Sequence, residues 1–150
     1  MSELKTFSLS LELLENFEFK IDFDEYGYII TDEPPPLGKG EGPNPARLVG
    51  AAVANCLCAS LLFALQRKKQ QLPTLRADIK GEIDRVDGFW RIVKINVDMQ
   101  ADIAEVDPDI LHSVVEQFEN FCIVTQSIRR GIPIHVELKS SAGETLLASD

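Results

Sequence analysis

The sequence predicts an α+β fold, built as βββ-α-ββ-α-ββ with antiparallel sheets and two core helices. Three observations carry that prediction. Stretches of alternating apolar and polar residues are joined by short turns, a long uncharged helix opens at an Asn-Pro cap, and a second cap-plus-proline start opens an amphipathic helix. The 150 residues are expected to form a single domain over 1–150, long enough to bury a sizeable core without disulfide staples.

The elements follow in order. Phe7, Leu9, Leu11 and Leu13 alternate with Ser8, Ser10 and Glu12, which predicts a half-buried strand. Glu15-Asn16 turns the chain into a second strand with Phe17, Phe19, Ile21 and Phe23 on one side, and "YGYIIT" supplies a third. Residues 32–44, "DEPPPLGKGEGPN", hold four prolines and three glycines and are expected to be loop. Asn44 then caps free amides and Pro45 takes the first helical position, where its missing N–H costs nothing. That helix is expected to run to about Gln70, with Pro73 barring its continuation. Leu75, Ala77, Ile79, Ile83 and Arg85 alternate along a strand, Asp87-Gly88 marks a hairpin turn, and Val93, Ile95, Val97 and Met99 return. Asp107-Pro108 starts the second helix, whose apolar face is Ile110, Leu111, Val114, Val115, Phe118, Phe121 and Cys122. Gly131 closes a short second segment after that helix; Ile132, Ile134, Val136 and Leu138 then predict a strand, and Ala142-Gly143 turns into a last one.

The formal charge of −9 argues against a nucleic-acid or anionic-membrane binder, since either needs a basic patch. The segment "MSELKTFSLSLELLENFEF" alternates and carries acids, unlike an export signal. A cytoplasmic, reducing location is therefore expected, with the three cysteines as free thiols. Leu48–Leu65 is 18 residues without a charge, long enough to raise the question of a membrane span. Asn55, Ser60 and many small residues dilute it, and a buried central helix is the better expectation.

Cys56 and Cys58 stand two positions apart on that helix, about 200° around it, so they cannot share a metal or pair while it is intact. His112 shares a face with Glu116 and Glu119, His135 falls on the polar side of its strand, and no metal or organic cofactor is expected. Cys122 lies on the apolar face of the second helix and points toward the first. Read from the residues alone, the Cys56 and Cys122 thiols are either a dithiol or two core side chains in contact.

The glycine-bearing loop, "GPNPARLVGAAVANC", and a second thiol 66 residues later in "NFCIVTQSIRRGIPIHVEL" together resemble the OsmC/Ohr family, the osmotically inducible and organic-hydroperoxide-resistance proteins. The resemblance covers nearly the whole chain, best over 38–65 and 119–138. It implies an intertwined homodimer and a thiol peroxidase acting on organic hydroperoxides, with Cys56 at the attacking position and Cys122 at the resolving one. It further implies a dithiol reductant such as a dihydrolipoyl protein. Cys58 has no counterpart in these roles.

The chain departs from the family pattern at two helper positions. Peroxidase members carry an arginine in the N-terminal strands and a glutamate just after the "NP"; here no arginine precedes Arg47, and Ala46 stands at the glutamate position. Arg47 itself is out of phase with Cys56. Candidate substitutes are Lys39, Glu41, Arg129 and Arg130. The loss of both helpers keeps open an alternative, a small-molecule-binding or redox-sensing protein on the same fold holding an apolar or thiol-reactive ligand. A hot-dog thioesterase is disfavoured because that fold wraps one central helix, and a second core-facing helix is expected here.

Overall fold

The computed structural model describes residues 3–149. Met1 and Ser2, at the head of the segment read as lacking an export signal, lie outside the described residues, as does Asp150. The fold is α+β, with antiparallel sheets and three helices. The described residues divide into two compact units, one reaching to Ala52 and including Asp78–Asp98, the other comprising Val53–Ala77 and the chain from Met99 onward.

In the first unit, β1 (Ser10–Glu15), β2 (Glu18–Asp22) and β3 (Tyr28–Thr31) form an antiparallel sheet in that order. Leu11 faces Ile21 and Leu13 faces Phe19, while Phe19 and Ile21 face Thr31 and Ile29 across β3. Asn16, at φ 51°, supplies the left-handed residue that the tight β1–β2 turn requires. The strand begins at Ser10 rather than Phe7, and it is exposed along its whole length instead of half-buried. The alternation was real, but Leu11 and Leu13 remain 56% and 58% exposed, uncovered by any layer among the described residues.

The proline- and glycine-rich loop is organised by Asp32, a residue the sequence pattern did not mark. Asp32 is almost fully buried, and its carboxylate accepts backbone N–H groups from Glu33 (2.7 Å), Lys39 (3.1 Å) and Glu41 (3.1 Å). The Glu41 bond leads, followed by those of Glu33, Lys39 and Gly40, and together they hold the carboxyl below its usual range against the opposing effect of burial. Gly38 is required here: a Cβ would overlap the Glu33 carbonyl oxygen and Asp32 Oδ1.

Helix α1 covers Pro45–Gln66, and Asn44 Oδ1 accepts the Arg47 N–H at 3.1 Å as the cap. It stops before Gln70. Lys69 turns left-handed at φ 57°, which brings the Gln70 N–H back to the Leu65 carbonyl at 2.9 Å and closes the helix end. By length and composition α1 qualifies as a membrane span, yet Val53, Ala54, Leu57, Leu61, Ala64 and Leu65 are buried in protein. Strands β4 (Leu75–Val86) and β5 (Phe89–Ala101) form a hairpin through Asp87 (φ 52°) and Gly88 (φ 84°), a turn whose two positive φ values suit the strand twist.

The core of the second unit is Leu61, Ala64, Leu65, Val106 and Val114, ringed by Leu72, Leu75, Met99, Ile110, Leu111 and Phe118. Asp107 caps α2 (Pro108–Val115) by accepting the Asp109 and Ile110 N–H groups. The single helix expected from 108 to 122 is broken. A 3₁₀ turn over Phe118–Phe121 and an extended Cys122 separate α2 from α3 (Ile123–Arg130). Phe118 and Phe121 keep a spacing of three, which α and 3₁₀ turns share, so the apolar pattern looked continuous. The Gln126 side chain and the Cys122 N–H both donate to the Glu119 carbonyl, compensating the interrupted ladder.

Strands β6 (Val136–Lys139) and β7 (Thr145–Ser149) pair antiparallel. Ile132 and Ile134 precede β6 rather than joining it: Gly131 ends α3 at φ 76°, and Pro133 has no N–H for a ladder.

Candidate functional site

The helix break creates the site. Because Cys122 is extended (φ −82°, ψ 95°) and stands as the N-cap of α3, its thiol is set at the head of that helix. Cys56 reaches the same place from the middle of α1. Its sulfur interacts with the Cys122 thiol and meets the Val124 backbone N–H in the first turn of α3. The two thiols therefore lie within hydrogen-bonding reach of each other, and all three cysteines are free.

Two buried hydroxyls complete the cluster. Thr125 Oγ1 lies 3.0 Å from Cys122 Sγ, and Ser60 Oγ donates to the Cys56 carbonyl at 2.7 Å while influencing both sulfurs. The sequence reading passed over both residues, although each carries a local signal. Thr125 follows Cys122 by three, the spacing at which an N-cap and its third helical residue exchange hydrogen bonds. Ser60 follows Cys56 by four, the spacing of a hydroxyl bonded back along its own helix.

The environment separates the two thiols. Burial pushes the Cys56 thiol up, and the hydrogen bond and charge of Cys122 push the same way, against the Val124 N–H and Ser60. Burial also works against ionisation of Cys122, but the Thr125 hydroxyl, the Cys56 thiol, the Thr125 N–H and Ser60 outweigh it and hold that thiol below its ordinary value. Access runs the other way: Cys122 is 0% exposed, whereas Cys56 is partly exposed. Cys58 points elsewhere, and burial alone raises its thiol.

The candidate helper charges are occupied with other groups or stand at the surface. Lys39 Nζ pairs with Glu15 at 3.1 Å, and that bond raises its ammonium above the usual value. Glu41 gives its backbone N–H to Asp32. Arg129 pairs with Glu119 at 3.3 Å, and both it and Arg130 sit in the last turn of α3, exposed, at the opposite end from Cys122. His112 pairs with Glu116 at 3.2 Å on an exposed face. Among the described residues, no three His, Cys, Asp or Glu side chains converge as metal ligands.

A dithiol joining a long helix to the head of a shorter one, within this order of strands, can be compared with known proteins. The sequence pattern of the OsmC-like protein family matches residues 38–137, about two thirds of the chain. The chain belongs to the OsmC-like family. This OsmC-like chain is 24% identical over 126 residues to the uncharacterized protein YmaD of Bacillus subtilis, covering 79% of the chain and 84% of that protein. It is 25% identical over 100 residues to the peroxiredoxin OsmC of Escherichia coli, covering 67% and 70% respectively. In structure it is similar to an OsmC-like protein of unknown function from Vibrio cholerae, with a TM-score of 0.71 and 13% identity over 83% of this chain and 94% of that one.

Proposed function

We propose that this OsmC-like protein is a thiol-dependent peroxidase that reduces organic hydroperoxides with Cys56 and Cys122. The observation that carries the reading is the meeting of these two thiols at the head of α3, one of them partly exposed. A relative named as a peroxiredoxin supports it.

The thiols themselves supply what the missing arginine and glutamate do not. Cys122 is the more readily ionised thiol, so its thiolate is the form proposed to face the Cys56 S–H. Cys122 then acts as the base. As its proton passes to Cys122, the Cys56 sulfur attacks the terminal oxygen of R–O–O–H, the O–O bond breaks, and Cys56 becomes a sulfenic acid. The alkoxide leaves as R–OH with that proton, restoring the Cys122 thiolate. The thiolate attacks the Cys56 sulfur, hydroxide departs, and the S–S bond forms. A dithiol such as a dihydrolipoyl protein then returns two electrons.

The protein is proposed to work as a homodimer in the cytoplasm. Its apolar side chains argue for a second copy, since Phe89 and Trp90 are 64% and 60% exposed and Ile132 and Ile134 are 58% and 70% exposed. A redox-sensing or ligand-binding protein is the second reading. The observation favouring it is that the accessible thiol, Cys56, is the one whose ionisation burial opposes, pushing its pKa up.

The deciding experiment adds one equivalent of an organic hydroperoxide to the reduced protein, then maps thiols and follows turnover with a dithiol. Peroxidase action requires a Cys56–Cys122 disulfide with Cys58 free, sustained turnover, and loss of both in Cys56→Ser. A disulfide that forms once without turnover makes the protein a sensor. Unreacted thiols in folded protein refute both redox readings and leave ligand binding.

A further inference from the structure

We infer that Thr125 holds the departing Cys122 thiolate when an external thiol reopens the Cys56–Cys122 disulfide, so that the reductant is captured on Cys56. The inference rests on the dithiol reading above and adds a direction to it.

Two asymmetries point the same way. The first is access: Cys122 is 0% exposed and Cys56 is partly exposed, so an incoming sulfur meets Cys56. The second is support for the sulfur that leaves. Cys122 is the N-cap of α3, its sulfur lies 3.0 Å from the buried Thr125 hydroxyl, and Ser60 stands against the same cluster. A hydroxyl both accepts and donates, so Thr125 Oγ1 accepts a hydrogen bond from the Cys122 S–H and can turn to donate to a thiolate. Thiol–disulfide exchange is faster when the leaving sulfur is the better-stabilised anion. At Cys56 the Val124 N–H and Ser60 act in the same sense but are outweighed by burial and Cys122.

The step balances as follows. A dithiol reductant loses one proton to solvent, and its thiolate attacks the Cys56 sulfur. The S–S electron pair departs on Cys122, leaving a mixed disulfide between the reductant and Cys56 and a thiolate beside Thr125. The reductant's second thiol, on losing its proton, attacks the reductant's own sulfur in that mixed disulfide. It closes as a cyclic disulfide and releases Cys56 as a thiolate, which takes a proton. The reductant has lost two electrons, and the protein disulfide has gained them. Thr125 is a positioning residue in this step, since it touches the leaving sulfur without exchanging a bond with carbon or oxygen of the substrate.

The test uses the full chain oxidised with diamide, then treated with an excess of glutathione, quenched in acid at successive times and mapped by peptide mass. The expected adduct is on Cys56, at least about ten-fold over Cys122, with Cys122 recovered as a free thiol. Thr125→Val is expected to slow opening of the disulfide by glutathione about ten-fold, the worth of one hydrogen bond to an anion, and Thr125→Ser to restore it. A merely structural role for Thr125 leaves that rate unchanged in a folded Val variant and overturns the inference, as does an adduct on Cys122 or one divided evenly. The mapping in the unsubstituted chain decides the direction even where the Val variant fails to fold. If diamide forms no Cys56–Cys122 disulfide in folded protein, the dithiol reading itself falls and the inference with it.

Discussion

Replacing Thr125 by valine removes one hydroxyl from a buried site and keeps the volume, which isolates the hydrogen bond to Cys122. The contact is 3.0 Å long and excluded from water, and a hydrogen bond to a charged group is worth about 1.5–3 kcal/mol. Sulfur is a weak acceptor, and the Cys56 thiol, the Thr125 N–H and Ser60 remain in place, so the lower end applies. A loss of about 1.4 kcal/mol corresponds to roughly ten-fold less Cys122 thiolate at a given pH. The assay is thiolate absorbance near 240 nm against pH, in a Cys58→Ser background that removes the unrelated thiol. The two remaining thiols titrate as a pair, and the lower step is expected to move to higher pH in Thr125→Val and to return in Thr125→Ser. Far-UV circular dichroism confirms the fold of each variant. A lower step that does not move refutes the assignment of Thr125 as the chief support of that thiolate.

Other outcomes follow from the same geometry. Asp32 has its carboxyl held below the usual value, so the loop clamp is fully present above about pH 4 and weakens as pH falls through the folded value. Stability against urea should therefore fall in acid more steeply in the wild type than in Asp32→Asn, and parallel curves would remove the clamp. Gly38→Ala drives a Cβ into the Glu33 carbonyl and the Asp32 carboxylate, and limited proteolysis at neutral pH should cut residues 33–42 faster than in the wild type. Leu65 is 0% exposed at the centre of the second unit's core, so Leu65→Ala should cost about 2–5 kcal/mol in urea unfolding; a loss under about 1 kcal/mol contradicts that packing. Sedimentation at micromolar concentration should give a dimer in the wild type and a monomer after Leu11→Asp with Leu13→Asp, whereas a monomeric wild type ends the homodimer proposal.

Local rules were enough to place most of the fold. The Asn44-Pro45 and Asp107-Pro108 caps, the Asp87-Gly88 turn and the period-two strands depend on neighbouring residues, and each stands where those residues put it. The pairing of Cys56 with Cys122 was legible as an alternative, because both lay on apolar helical faces. What tertiary structure alone decided is the environment of each group. Periodicity cannot tell an α turn from a 3₁₀ turn when residues recur every three positions, so the break before Cys122, which makes that cysteine an N-cap, was hidden. Nor can it show that Leu11 and Leu13 stay uncovered, since an apolar stripe reads the same whether its cover is in the chain or elsewhere. The relative acidity of the two thiols also depends on donors brought from separate segments: Thr125 and Ser60 lie 65 residues apart in sequence and meet only around the sulfurs. The chain's composition determined that it carries three thiols; the fold determined which of them is buried and which way each one's acidity is pushed, because burial and hydrogen bonding are properties of place.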